Sequence, residues 1–306
     1  NANPRLRFFA LWYFTILLAA WTVAGHTILG FEQSYAQPVA GVVAAILAQF
    51  LFEWIDSRIG NRTPRYSGGF IKLLNFLPPA IIPGLASAML IYPNERLWPV
   101  AFAAAVSIAS KAVFRAPVGQ GMTQHIFNPS NFGITLTLLL LSSSVGLAPP
   151  YMFTKNITGA WHWILPGIIL ILGTIVHAKF TGRLPLVLAW TAGFLLQGAV
   201  RVAVFDVPWI VPLVPMTSAA FTLFTLFMIP DPATTPISRK GQIAFGMSVA
   251  LIYGVLLMSH VVFGLFIALA LTSAARGAYL LLASARSSAQ SAREPIRAVR
   301  SVAAAQ

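Results

Sequence analysis

Between Gln124 and Leu141 the chain reads QHIFNPSNFGITLTLLLL, a polar run that passes without a spacer into a wholly apolar segment. The chemistry such a boundary offers is that of a helix start. Asn128 carries a side-chain oxygen able to accept from the first free N–H groups, Pro129 suits the first helical position, and Ser130, Asn131 and Gly133 keep the start small and polar. An end of this kind presents unpaired N–H groups and the positive pole of the helix dipole, which favour a phosphate, a carboxylate or a ring carbonyl. Phe127 and Phe132 flank it and are able to stack on a ring. The same residues also satisfy plain capping, since Asn-Pro opens many helices that bind nothing. Both readings stand at this point.

A second polar constellation is MIPDPATTPISRKGQIAFG, residues 228–246. Asp231 can cap local N–H groups, Thr234 and Thr235 supply hydroxyls, Arg239 and Lys240 supply positive charge, and Gly241 allows close approach before the next apolar segment. The absence of cysteine excludes disulfides, thiolate-held iron–sulfur clusters and cysteine nucleophiles, so redox chemistry would need an organic cofactor, haem or a partner protein. Haem is not expected: His26, His162 and His260 fall near one membrane face and His125 and His177 near the other, with no arginine pair for propionates on the outer side. They read as interfacial or core histidines. No metal site and no catalytic residue stands out. All seven acidic residues, Glu32, Glu53, Asp56, Glu95, Asp206, Asp231 and Glu294, fall in expected loops or at span ends. A proton or sodium relay at the bilayer midplane is therefore not expected.

The elements that must position these residues are membrane spans. The 306-residue chain is 58% hydrophobic and 9% charged with mean hydropathy +0.78, far from a soluble composition with roughly a quarter of its residues charged. Ten apolar segments, near 8–29, 37–55, 76–92, 97–114, 130–148, 161–178, 184–203, 208–229, 242–258 and 260–277, approach the ~20 residues needed to cross a bilayer. The first lacks a small-residue cleavage site and reads as an anchor. With the N-terminus cytoplasmic, 17 of the 20 basic residues lie inside, leaving Arg96, Lys155 and Arg201 outside, the bias expected of an inner-membrane protein of bacterial type with both termini cytoplasmic. A net charge of +13 scattered between apolar spans does not describe a nucleic-acid surface, and nucleic acid is not an expected partner. The basic tail, 285–306, either extends the last helix along the anionic leaflet or lies solvated in the cytoplasm.

Segments three and eight share a design. One opens with Pro78, Pro79 and Pro83 and closes on Pro93-Asn94; the other opens with Pro208, Pro212 and Pro215 and closes on Pro230-Asp231. The expected fold is an all-α integral membrane protein: a single polytopic domain of about ten transmembrane helices in two inverted five-helix halves, 1–148 and 160–284, with the third and eighth helices broken.

HIFNPSNFGI at 125–134 resembles the NIFNPA-type helix start of the RnfD/NqrB family of electron-transport membrane subunits, and MIPDPATTPISRKGQIAFG resembles that family's ATDPV…GK…(F/Y)G stretch. Lys111 echoes its Ala-Lys, TGRLPL at 181–186 echoes a loop ending in Arg-Ile-Pro, and the UnbU-like branch is the nearest. The resemblance implies a subunit of a flavin-dependent complex, working with other membrane or redox proteins in the bilayer, of a kind that couples electron transfer to ion movement. It implies flavin or quinone binding at Lys111, Phe127, Asn128, Ser130, Asn131 and Gly133 together with Asp231, Thr234, Thr235, Lys240 and Gly241. Family members that carry covalent FMN attach it to the last Thr of an Asp-x-x-Ser-Gly-Ala-Thr run. Here Lys155-Asn156-Ile157-Thr158-Gly159-Ala160-Trp161 puts Lys155 at the Asp and Trp161 at the acceptor Thr, so any flavin, FMN or riboflavin, is expected to be held non-covalently. The alternative is an inverted-repeat solute channel or transporter without redox chemistry.

Overall fold

The computed structural model describes the backbone of residues 4–119 and 122–303 and the side chains of 8–119 and 122–287. Helix α1 (Pro4–Ala24) runs on through a π-type turn, Gly25–Leu29, and α2 spans Ala36–Ile59. The short α3 (Phe70–Phe76) leads straight into α4 (Pro78–Leu90), whose first positions are prolines, residues without an N–H to lose at a helix start. Then come β1 (Ile91–Tyr92), α5 (Trp98–Val113), the strands β2 (Arg115–Pro117) and β3 (Thr123–His125), α6 (Pro129–Leu140) and β4 (Gly146–Leu147). The second half holds α7 (Trp161–Ile175) with a π-type turn Val176–Thr181, α8 (Leu184–Phe205), α9 (Ala219–Leu223) with a π-type turn Phe224–Met228, α10 (Arg239–Met258) and α11 (Gly264–Ala303).

Among the described residues, seven helices are long and apolar enough to cross a membrane: Phe8–Leu29, Ala36–Ile59, Phe70–Leu90, Trp161–Thr181, Leu184–Phe205, Arg239–Met258 and Gly264–Ser287. Such a set is consistent with a multi-pass membrane protein. The remaining three expected segments form shorter apolar helices, Trp98–Val113, Pro129–Leu140 and Ala219–Met228. Segment eight is helical only from Ala219, because Pro208, Pro212 and Pro215 supply no N–H and clash with the preceding turn; the chain there makes turns and one short 3-10 stretch, Val214–Thr217. The backbone of α11 stays helical to Ala303, so the tail continues the last helix over its described backbone; the side chains of 288–306, which carry most of its basic residues, lie outside the described residues.

Packing is arranged for lipid rather than water. In α2 the buried positions are Gln37, Gly41, Ala45, Gln49, Glu53 and Ser57, one every fourth residue, whereas Val39, Val43, Leu47 and Leu51 are exposed. Lipid tails are as apolar as leucine, so nothing drives large side chains inward, and helices associate through small and polar residues instead. A Cβ on Gly41 would lie 2.5 Å from the Gly84 carbonyl oxygen, which shows how closely α2 and α4 approach. α2 also packs on α5, and α5 on α6; α8 packs on α10, α10 on α11, and α6 meets α11 across the halves. Within the second half, Trp190, Phe194, Phe221, Phe224 and Tyr253 form an aromatic core, with the Trp190 indole donating to Thr225 Oγ1 at 3.0 Å.

Two ion-pair clusters tie loops down. Glu53, near the end of α2, accepts from Arg62 Nη1 at 2.6 Å, from the Arg65 backbone N–H at 2.8 Å and from Arg65 Nη2 at 2.7 Å, while Arg62 also reaches Asp56. Glu53 thus lies at a span end, as expected, but is buried there, and local arginines account for it. On the opposite face Lys155 pairs with Glu32, holding the Glu32 carboxyl below its ordinary range. Nearby, β1 and β4 pair antiparallel, Ile91 with Leu147 and Tyr92 with Gly146.

Candidate functional site

The two polar stretches meet. Asn128 caps α6, its Oδ1 accepting from the Asn131 N–H at 3.1 Å and from Ser130 Oγ at 2.9 Å, while its Nδ2 donates 2.9 Å to the carbonyl of Met228. The start of α6 is thereby fastened to the end of the Phe224–Met228 turn. Asn131 donates from Nδ2 to the Phe266 carbonyl at 3.0 Å, and its own Oδ1 is buried without a partner. Gly133 is required by contact: a Cβ there would sit 2.2 Å from both Ala103 O and Ser107 Oγ of α5.

The 231–235 loop folds on itself. Asp231 accepts from the Ala233 N–H at 3.0 Å and from Thr234 Oγ1 at 3.1 Å, and its backbone carbonyl accepts from Thr235 Oγ1 at 2.6 Å. Thr234 and Thr235 are buried. Burial raises the Asp231 carboxyl above its ordinary range, opposed by the Ala233 N–H, the Thr234 hydroxyl and the positive charges of Arg183 and Lys111. Three side chains from elsewhere clamp the loop. Arg183 donates from Nε to Thr235 Oγ1 at 2.9 Å and from Nη2 to Pro232 O at 3.2 Å. Arg276, on α11, donates to Thr234 O and to Gln124 Oε1, each at 2.9 Å. Gln124 Nε2 in turn reaches Pro232 O at 3.3 Å and Thr235 O at 3.4 Å.

The other expected residues stand further off. Lys111 directs its amine to Pro79 O at 2.9 Å and Gln49 Oε1 at 3.4 Å, toward α2 and α4, although it remains within electrostatic reach of Asp231. Phe127 and Phe132 pack on each other, ring centres 4.6 Å apart, and both on Phe114. Lys240 is exposed in the first turn of α10 and hydrogen-bonds no described residue; the Gly241 N–H donates to the cap, Ser238 Oγ, at 3.2 Å. Trp161, at the start of α7, is exposed. Reading the sequence for site residues missed Gln124, Arg183 and Arg276. Arg183 was visible only as part of a TGRLPL loop and Arg276 only as one basic residue among many, because the contacts that matter join residues 42 to 152 positions apart.

Beside this knot lies a cavity of about 750 Å³ between α1, α4, α7, α9 and the starts of α6 and α11. Phe14, Trp21, Met89, Phe221, Phe224 and Phe227 are among its walls; among the described residues only Ser130, Thr217 and Ser218 bring hydroxyls to it. Ser130 and Met228 belong to both the knot and the cavity wall, so one end of an apolar chamber abuts the capped start of α6. No protein-family model matches the chain, and no curated protein matches it.

Proposed function

We propose that the protein is the membrane subunit of a flavin-dependent electron-transfer complex of RnfD/NqrB-like type, holding flavin or quinone non-covalently and working with partner redox proteins at the inner membrane. The observation that carries this reading is the cavity: its size falls within the range of small-molecule and cofactor sites, its walls are aromatic and aliphatic, and of its few hydroxyls Ser130 is bonded to Asn128 at the start of α6 while Thr217 and Ser218 lie at the start of α9. Such a chamber suits a planar, largely apolar ring system. The recurrence of packing between the halves supports an inverted ten-segment arrangement: α2 with α5 and α5 with α6 in one half correspond to α8 with α10 and α10 with α11 in the other.

The solute-channel reading draws on one feature, the short helices Pro129–Leu140 and Ala219–Met228 meeting where Asn128 donates to Met228 O. Half-helices meeting within a membrane are what many transporters build their sites from. A path for a polar solute, however, needs polar groups along its length, and this chamber has few. The two readings separate on purified protein in detergent. Flavin or quinone absorbance, with the matching mass in an organic extract, is the outcome expected for the redox subunit. Colourless protein that stays colourless when reconstituted with flavin and quinone, yet speeds solute equilibration in vesicles, would replace it with the channel.

A further inference from the structure

The knot has more cationic donors than acceptors. Among the described residues its nearby charged groups are Arg183, Arg276 and Lys111 against Asp231; the acids of the neighbouring cluster, Glu53 and Asp56, are already taken by Arg62 and Arg65. The arginines are spent on neutral partners, Arg183 on Pro232 O and Thr235 Oγ1, Arg276 on Thr234 O and Gln124 Oε1. Asp231, which would neutralise one of them, instead accepts from its own loop.

Hydrogen-bond counting leads to the same place. The carbonyls of Asp231, Pro232, Thr234 and Thr235 all accept from side chains already. Arg183 Nη1 and Arg276 Nε, by contrast, donate to no described residue, and neither atom is fully enclosed. An arginine fork with donors to spare, beside a loop whose acceptors are used, is complemented by a group that only accepts and carries negative charge. Two arginines within electrostatic reach of each other suit the several oxygens of a phosphate better than one carboxylate.

We infer that Arg183 and Arg276, bracing the 231–235 loop with Lys111 behind it, form a binding site for a phosphate group. The site does not depend on the electron-transfer reading; phosphate belongs equally to a soluble phosphorylated ligand and to a lipid headgroup.

The test uses the full-length protein, delipidated in neutral detergent. Inorganic phosphate and then FMN are titrated against chloride at matched ionic strength, with thermal unfolding and calorimetry as readouts. In parallel, native mass spectrometry follows phosphatidylglycerol retained from the membrane. The expected result is saturable stabilisation by phosphate, or specific retention of phosphatidylglycerol over phosphatidylcholine; the first assigns a soluble ligand and the second a headgroup. Arg183→Gln and Arg276→Gln should each weaken that binding by on the order of tenfold or more. Arg276→Lys keeps the charge and guards against a variant that fails to fold, and it should retain most of the binding. Arg239→Gln, on the exposed start of α10, should change it little. Equal responses from wild type, Arg276→Lys and Arg239→Gln to phosphate and to chloride, with no retained anionic lipid, would overturn the site.

Discussion

Two clusters in this molecule are built from carboxylates and a pair of arginines and are wired in opposite ways. At the end of α2, Glu53 takes Arg62 and Arg65 directly, and Asp56 takes the remainder of Arg62. Two acids there meet two bases. Around 231–235, Asp231 turns inward on its own loop while Arg183 and Arg276 grip carbonyls, a hydroxyl and an amide. The first arrangement closes its own electrostatics and ties down the 60–65 loop. The second closes its geometry and leaves its charge open, and that is where a ligand has something to offer.

The largest effect is expected at the first cluster. Glu53→Ala leaves two arginines facing a buried position with no anion, and should cost about 3 kcal/mol, the lower end for a broken buried pair because both arginines reach water. Urea or thermal unfolding of the detergent-solubilised variant measures it; a loss under about 0.5 kcal/mol would mean that the loop is held by something else. Next comes Asn128→Leu, which removes the cap of α6 and the donor to Met228 O, costing about 1 kcal/mol for each. If this residue also borders a bound ring, retention of flavin or quinone falls further than the stability loss accounts for. Folded Asn128→Leu protein with undiminished cofactor content would separate the cap from the ligand.

Asp231→Asn sharpens the contrast rather than breaking it. The carboxamide oxygen still accepts from the Ala233 N–H, and the amide NH2 facing Thr234 Oγ1 can donate to that hydroxyl instead of accepting from it, so stability should change by about 1 kcal/mol. Because this variant removes the one negative group among three positive ones, it should tighten phosphate binding while Glu53→Ala does not. Weaker binding in Asp231→Asn, measured by the same calorimetry, would place the anion elsewhere. The smallest effect belongs to Lys240→Ala, an exposed lysine without a described hydrogen bond, expected within about 0.5 kcal/mol of wild type in stability. A large loss of ligand there would move the site toward the start of α10.

What could be read from the sequence follows the range of the forces involved. Membrane character and the helical stretches are local properties of composition, and α1, α2, α8, α10 and α11 lie where apolar runs predict them. The cap at Asn128 is equally local, set by Asn-Pro and the small residues after it. The pairing of Asn128 with Met228, the clamp of Arg183 and Arg276 and the direction of Lys111 are not, since each is decided by helices that come together only in the folded chain. Glu53 shows the same limit from the other side: its position near a span end was visible, but its burial depended on Arg62 and Arg65 folding back over it.

The knot also imposes an order on synthesis. It needs Gln124 and Asn128 from the first half, the 228–235 loop from the second, and Arg276 from α11, so it cannot be finished until α11 has left the ribosome. The contact of Gly41 with Gly84 draws only on early spans and is available long before. A chain truncated ahead of α11 would therefore carry a sound first half and a loop at 231–235 without its Arg276 clamp. The hydrogen bonds of Arg276 are thus the ones that distinguish a chain carrying α11 from one interrupted before it, and a membrane quality-control protease could read the difference at that loop.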